Sequence, residues 1–395
     1  MGTTIGIRRR DDLIGLTGDE CVAAVNEYCA QWSSPDAVIR DNPDLDGRLR
    51  SEAKKVPWRT PAELTRALAK KTCQFRFLLP TKINIEVASV CPLRCEYCVL
   101  ADLAKHRRAP KLSADAYRRI WRSMEAYITE VEFTGGEPLM NDDVYAIMAE
   151  TGGTRIHTTL TTNAQLLTDE RIDRVLDAAP TRLLIAYDSG DAESYETTRR
   201  RGKLSELQAN IVRLVERRRA RGIRGAQVHL QMVVHKKNEH EVEQFWRDAE
   251  AMGADAACIK PVLVWPGEGE AYERRMIDEY LIPGHPMSYH ALDENGKLLK
   301  WRRPGFCSNT QHVHVGSGSE VIPCWYRLKD TWIAGYAADT PFPEIWHSPA
   351  YIEYRRRMLD ETVSEACRGC IGNTSSPTTK QLWTARRFSK EAVWW

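Results

Sequence analysis

From residue 82 onward, short apolar runs alternate with longer stretches whose apolar residues recur at helical spacing. The runs at 83–88, 130–133, 155–161, 182–187, 227–234 and 256–261 predict six β-strands. Between them, 114–126, 142–150, 169–178, 204–219 and 239–252 predict helices. Repeated strand–helix units predict parallel strands joined by crossovers, hence an α/β fold built as an open or closed barrel. Residues that do chemistry on such a scaffold sit past the C-terminal ends of the strands. Residues 1–80 predict a helical extension: 19–32 carries helical spacing, and Pro61 opens a run of good helix formers. After Pro261 the periodicity fails, and Pro266, Gly267, Gly269, Pro283, Gly284 and Pro286 mark an irregular connector over 263–304. A small cysteine-containing module over 305–375 and a polar tail over 376–395 complete the chain.

Composition narrows the class. The 395 residues are 43% hydrophobic and 28% charged, with 56 Lys and Arg against 54 Asp and Glu, which fits a globular protein of two or three domains and excludes disorder. A net charge of +2 gives no basis for a nucleic-acid partner. The arginine runs at 199–201, 217–219 and 355–357 lie among acids and predict solvated helix faces. No stretch approaches the roughly 20 apolar residues of a membrane span. The N-terminus lacks the apolar core of a secretory signal, so the cytoplasm is the expected location.

In a reducing compartment the eleven cysteines are better read as metal ligands or reactive thiols than as disulfides. Cys91, Cys95 and Cys98 fall just past the first predicted strand. Three thiolates leave one iron of a cubane cluster open, since a cubane normally takes four cysteines; zinc is the alternative, although its usual paired CxxC spacing is missing here. Cys307 and Cys324 bracket an alternating segment with a Gly-Ser-Gly-Ser turn, which predicts a β-hairpin, and Cys367 and Cys370 form a CxxC. Four such thiolates suit zinc as well as an iron–sulfur cluster. His312 and His314 on the hairpin are expected to be ordinary surface residues. Cys258 lies near the C-terminal end of the sixth strand, sharing one face with Lys260, while Ala257 and Ile259 take the other. It is either a small buried hydrophobe or a hydrogen donor. Cys21, Cys29 and Cys73 are expected to pack among the N-terminal helices.

The CxxxCxxC spacing, with Tyr97 before its last cysteine, resembles the signature of the radical S-adenosylmethionine (SAM) enzymes. After the second strand, Thr134-Gly135-Gly136-Glu137-Pro138 resembles the family's GGEP segment, where glycines allow close approach and a carboxylate complements an ammonium. Thr162-Asn163-Ala164 resembles its TNG, with Ala in place of Gly; Asp188-Ser189 resembles the turn after the fourth strand; and Arg201-Gly202 resembles an Arg-Gly that commonly reaches SAM. Ala186 stands where many relatives carry a serine for the SAM carboxylate. This resemblance covers about residues 82–262. Downstream, Cys307, the hairpin, Cys324, the segment 342–348, Arg355 and the CxxC resemble the superfamily's auxiliary-cluster extensions. No cysteine follows Cys370, so the match is to the short twitch domain rather than the larger SPASM domain.

The resemblance implies a partial (β/α)6 barrel and two [4Fe-4S] clusters, one on Cys91, Cys95 and Cys98, the other on Cys307, Cys324, Cys367 and Cys370. It implies SAM held by Tyr97, Gly135, Gly136, Glu137, Asn163, Asp188 and Arg201. The unique iron would bind SAM, an external donor such as flavodoxin or ferredoxin would supply an electron, and the resulting 5′-deoxyadenosyl radical would remove hydrogen from an unactivated C–H bond. Twitch relatives act on aminocyclitols and aminoglycosides; others mature peptides, often with an N-terminal winged leader-binding domain that a helical 1–80 does not match. Trp265, Trp301, Trp325 and Trp332 are candidate stacking surfaces for a sugar-like substrate, or ordinary core. The leading expectation is epimerisation of a carbinol centre with Cys258 as hydrogen donor. The alternatives are oxidation of an alcohol to a ketone, or peptide maturation.

Overall fold

The computed structural model describes residues 80, 82–125, 128, 130–152, 156–265, 268–282, 288, 290, 292–298, 312–324, 332–346, 348–351, 354 and 384–389. The expected N-terminal helices, with Cys21, Cys29 and Cys73, lie outside them, as do Cys307, Cys367, Cys370, Trp301 and Trp325.

All six predicted strands form: β1 (Lys82–Ala88), β3 (Glu130–Gly135), β4 (His157–Thr162), β5 (Arg182–Ala186), β7 (Gln227–Val234) and β8 (Ala256–Pro261). They pair in parallel in that order. Two-residue strands β2 (Arg94–Cys95) and β6 (Arg199–Arg200) pair separately. The helices α1 (Ala114–Arg122), α2 (Val144–Ala149), α3 (Asp169–Asp177), α5 (Leu204–Ala220) and α6 (Val242–Ala251) fill the connections, joined by α4 (Ala192–Thr198), which the periodicity did not reveal. Local chemistry sets their starts: Ser113, Thr168 and Asp191 each accept a hydrogen bond from a backbone N–H three residues on.

The sheet's two faces differ sharply. Ile83, Ile85 and Val87 of β1, Leu183 and Ile185 of β5, and Leu230 and Met232 of β7 join the helices in one apolar core. The alternate residues face the other way and are polar in large part: Asn84 and Glu86, Glu132, Thr159 and Thr161, Arg182, His229 and Gln231, Cys258 and Lys260. This inner face is built to meet something polar rather than to be filled with branched apolar side chains.

Three elements after β8 depart from expectation. The connector contains a helix, α7 (Glu270–Glu279), because 270–279 lies between its Gly and Pro breakers and carries none itself. The predicted hairpin forms as β9 (His312–Val315) and β10 (Glu320–Ile322), followed by β11 (Gly335–Tyr336) and α8 (Phe342–Trp346). It extends the main sheet, since β9 pairs in parallel with β1. Within the polar tail, β12 (Thr384–Arg387) pairs antiparallel with β8 and closes the other edge, so ten strands run β11-β10-β9-β1-β3-β4-β5-β7-β8-β12. Unpaired strand edges would otherwise expose a row of backbone donors and acceptors.

Docking of the hairpin corrects the expectation for His314, which is 1% exposed. Its Nε2 lies 3.3 Å from Glu86, whose carboxylate takes a two-pronged ion pair from Arg107 at 2.8 and 2.9 Å. Ser317 N also donates to Glu86. The side chain of His312 lies outside the described set. The arginine runs are corrected too. Arg199 is buried on a short strand, and Arg218 is buried in a two-pronged pair with Asp255 at 2.5 and 2.9 Å. Arg217 pairs with Asp173, as a solvated face would.

Burial alone would raise the Glu86 carboxyl, but the His314 hydrogen bond and the Arg107 charge hold it down at about 2, against 4.5 unperturbed. Stability from this group is therefore complete above about pH 4.5 and is lost as pH falls toward 2. Glu86→Gln is expected to remove that part of the acid sensitivity and, by leaving Arg107 buried and unpaired, to cost about 3–5 kcal/mol at neutral pH. Thermal midpoints of both proteins between pH 5 and 3 test this; parallel pH curves would contradict it.

Candidate active site

The loop after β1 carries Cys91, Cys95 and Cys98 and is pinned by β2–β6 pairing, which sets Cys95 opposite Arg199. Each sulfur meets a donor. Asn163 Nδ2 lies 3.6 Å from Cys91 Sγ, Arg199 Nη1 lies 3.9 Å from Cys95 Sγ, and Leu100 N donates to Cys98 Sγ at 3.4 Å, capping the 3-10 turn Val99–His106. Donors aimed at sulfur suit anionic thiolates in an iron–sulfur site. Burial pushes the Cys91 thiol up to about 12 and the Cys95 thiol to about 11, so metal uptake has to expel their protons. Among the described residues no three His, Cys, Asp or Glu side chains converge on one ion.

Asp188, fully buried just past β5, joins this loop to the sheet. It accepts from the Tyr97 hydroxyl, from Arg199 Nε and Nη2 at 2.7 Å, and from Val233 N at 2.9 Å. Burial raises its carboxyl, but the Arg199 charge more than compensates and Asp188 stays ionised. Behind Tyr97 stand His235 at 5.4 Å and Tyr280 at 5.9 Å between ring centres. The neighbouring Glu96 carboxylate accepts from the Tyr280 hydroxyl, from Lys237 Nζ at 3.1 Å and from Arg200 at 2.6 Å, while Arg275 of α7 holds Glu96 O at 3.1 Å. The connector helix thus clamps the cysteine loop from outside.

Gly135 and Gly136 are required by close packing of two loops. A Cβ on Gly135, at φ 130°, would sit 2.1 Å from Ala88 O, and one on Gly136 would sit 2.4 Å from Val90 O. The Glu137 carboxylate, 1% exposed, accepts from Thr162 Oγ1 at 2.7 Å, Asn163 N at 2.8 Å and Leu139 N at 3.1 Å. It therefore orients Asn163, and burial raises its pKa. Ala164 adopts φ 57°, the left-handed conformation that a glycine at this position would reach without strain.

Arg201 is exposed, also with a positive φ, whereas Arg199 is the arginine brought to the cysteines. Sequence reasoning missed Arg199, His235 and the Glu96 clamp. A signal existed for Arg199: Gly202 directly follows the arginine run, and a glycine there marks a turn rather than a continuing helix face. Cys258 is 0% exposed on the inner face, paired in register with Gln231 of β7. It lies one inward position below Lys260, whose partner Val233 binds Asp188, so about 7 Å of strand separates the thiol's level from that of the Asp188–Arg199 pair. Cys324 is buried two residues past β10, where Ile322 packs on Leu100 and Leu103 of the turn after Cys98. Trp265 is partly buried, and Trp332 is exposed and stacked on Tyr354.

Residues 85–249 match the Radical SAM superfamily and residues 307–371 an iron–sulfur cluster-binding domain, a stretch spanning Cys307, Cys324, Cys367 and Cys370. The chain thus carries a radical SAM domain followed by a C-terminal domain of the SPASM/twitch kind. Its strand–helix sheet is the partial barrel of that superfamily. It uses SAM with a [4Fe-4S] cluster and carries an auxiliary iron–sulfur cluster. Curated relatives include a GTP 3′,8-cyclase of Marinobacter nauticus, 26% identical over 61% of this chain and 78% of the relative. A PqqA peptide cyclase of Granulibacter bethesdensis is 23% identical over 74% and 79%. Among solved structures, Streptococcus suis SuiB superposes with a TM-score of 0.56 at 14% identity, covering 89% of this chain and 88% of that one. At these identities the structural likeness concerns the fold. No helix among the described residues is long and apolar enough to cross a membrane.

Because Val90 directly precedes Cys91, Gly136→Ala is expected to displace the cysteine loop, costing about 1–3 kcal/mol and more than half of the iron bound after anaerobic reconstitution. Iron content and thermal midpoint measure both; wild-type values would refute the packing role.

Proposed function

We propose that this radical SAM enzyme takes a hydrogen atom from a carbinol carbon of a saccharide-like small molecule and returns one from Cys258 to the opposite face, inverting the centre. The observation that carries the reading is the inward-facing, fully buried Cys258 one strand level below the Asp188–Arg199 pair. When bound, SAM and the cluster on Cys91, Cys95 and Cys98 supply a 5′-deoxyadenosyl radical. In this reading Tyr97, Gly135, Gly136, Asn163 and Asp188 shape the SAM pocket, Glu137 fixes Asn163, and Arg201 stands at the rim. Cys307, Cys324, Cys367 and Cys370 hold the auxiliary cluster.

A hydrogen-atom donor has to carry its hydrogen. Burial pushes the Cys258 thiol up to about 12, with Lys260 and Arg182 opposing only in part, so it is S–H at neutral pH. Its S–H bond breaks homolytically as the new C–H bond forms. The sulfur radical left behind is restored by one proton and by one electron from an external reductant such as flavodoxin or ferredoxin. The enclosed inner face keeps solvent from competing. A reducing cytoplasm suits both clusters and the free thiol.

A peptide substrate is the second reading, favoured by the similarity to PqqA peptide cyclase over 74% of this chain. It would keep the same thiol chemistry at a peptide carbon, whereas oxidation of an alcohol to a ketone would leave Cys258 without a role. Turnover in deuterated water separates these: inversion incorporates one solvent deuterium at the inverted carbon, and oxidation yields a ketone. Cys258→Ala is expected to lower inversion by at least about a hundredfold while 5′-deoxyadenosine is still released. Undiminished inversion by that variant would exclude the thiol. The contribution of this thiol should also stay level with pH up to about 10, because the group keeps its proton well below about 12.

A further inference from the structure

We propose that Gln231 holds a substrate hydroxyl beside Cys258, so that the site selects a hydroxylated ring; this rests on the inward thiol chemistry proposed above. Leu230 and Met232 belong to the helix-side core, so Gln231 between them projects to the inner face. Its backbone partners across the sheet are Cys258 on β8 and Ala186 on β5. Neighbouring strands lie about 4.8 Å apart, which puts the carboxamide directly alongside the thiol. The residue is 6% exposed, and its Oε1 is buried yet accepts no hydrogen bond from any described residue. An acceptor removed from water and left unmatched is costly, and such groups in native proteins call for a reason.

Ala186, with only a methyl group, leaves room on one side of the carboxamide, and Cys258 stands on the other. A carbonyl oxygen can only accept, so the ligand group facing it has to be a donor. Lys260 and Arg182 both act electrostatically on Cys258, and their positive charge disfavours an ammonium at this point. Of the acids on the same face, Glu86 is paired with Arg107, and Glu132 is engaged by Lys82 at 3.6 Å and by the Thr161 hydroxyl at 3.1 Å. A neutral donor fits, and a hydroxyl is the one that a saccharide-like substrate presents. One hydrogen bond from it to Gln231 turns the attached carbon, and with it the C–H bond, toward or away from the sulfur. Gln231 is in this sense a positioning residue.

The test uses anaerobic, cluster-loaded enzyme with SAM and measures binding of myo-inositol and of 2-deoxystreptamine by calorimetry. At least one probe is expected to bind wild type, and Gln231→Leu, close in volume but without an acceptor, is expected to bind it about tenfold or more weakly. Gln231→Glu, which restores an acceptor next to two cations, should recover affinity to within about threefold, a rescue that a packing role would not give. Iron–sulfur absorbance and thermal midpoint confirm that each variant is folded. Failure of both probes to bind wild type, equal affinity for Gln231→Leu, or no recovery in Gln231→Glu overturns the proposal. Solvent deuterium uptake with equal Gln231→Leu affinity removes this proposal and leaves the thiol chemistry standing. A tenfold loss without deuterium uptake does the reverse.

Discussion

The buried carboxylate of Asp188 is the constraint on which the rest of the site depends. Through Tyr97 it reaches the cysteine loop, through Arg199 it reaches Cys95, and through Val233 N it reaches the end of β7. Three segments distant in sequence are thus held by one charged group with no exposure. A carboxylate and a guanidinium taken out of water together are stabilised only if their geometry is good and their other hydrogen-bonding positions are filled, as they are here. Loosening any partner would leave a buried charge uncompensated, so the geometry around the sulfurs is set cooperatively.

The two faces of the sheet divide the work. The helix side is apolar, aliphatic and aromatic together, and supplies the hydrophobic driving force. The inner side gives up that packing for charged and hydroxyl groups, and the loss is offset by ion pairs and by elements that cover its edges. Glu86 is an example: an acid in the middle of a sheet is tolerable because Arg107, His314 and Ser317 converge on it, and these same contacts fasten the hairpin leading to Cys324. The neighbourhoods of Cys98 and Cys324 are consequently one packed unit, bridged by Leu100, Leu103 and Ile322.

The six parallel strands were legible because apolar runs of four to eight residues separated by amphipathic helices leave little choice of architecture. The placement of Cys91, Cys95 and Cys98 on the loop after β1 was legible because they directly follow the first apolar run. Arg199 and Arg218 were not, since composition cannot distinguish an arginine paired with a distant Asp from one in water; the pairing partners lie 11 and 37 residues away. His314 was misjudged for a similar reason: its surroundings come from Glu86, 228 residues earlier. Helix α7 was hidden by flanking glycine and proline, and β12 by a polar composition natural to an edge strand.

The pairing of Ala385 with Cys258 has a consequence for how the molecule is made. The strand bearing the thiol is completed by a segment that leaves the ribosome much later, and β1 likewise waits for β9. Until translation has passed both segments, the nascent sheet has two open borders available for misassociation with other chains, and Cys258 lies beside one of them. Heterologous production should accordingly profit from slow synthesis at low temperature under exclusion of oxygen, and a bulky fusion placed shortly after β12 should be tolerated less well than one placed at the opposite terminus.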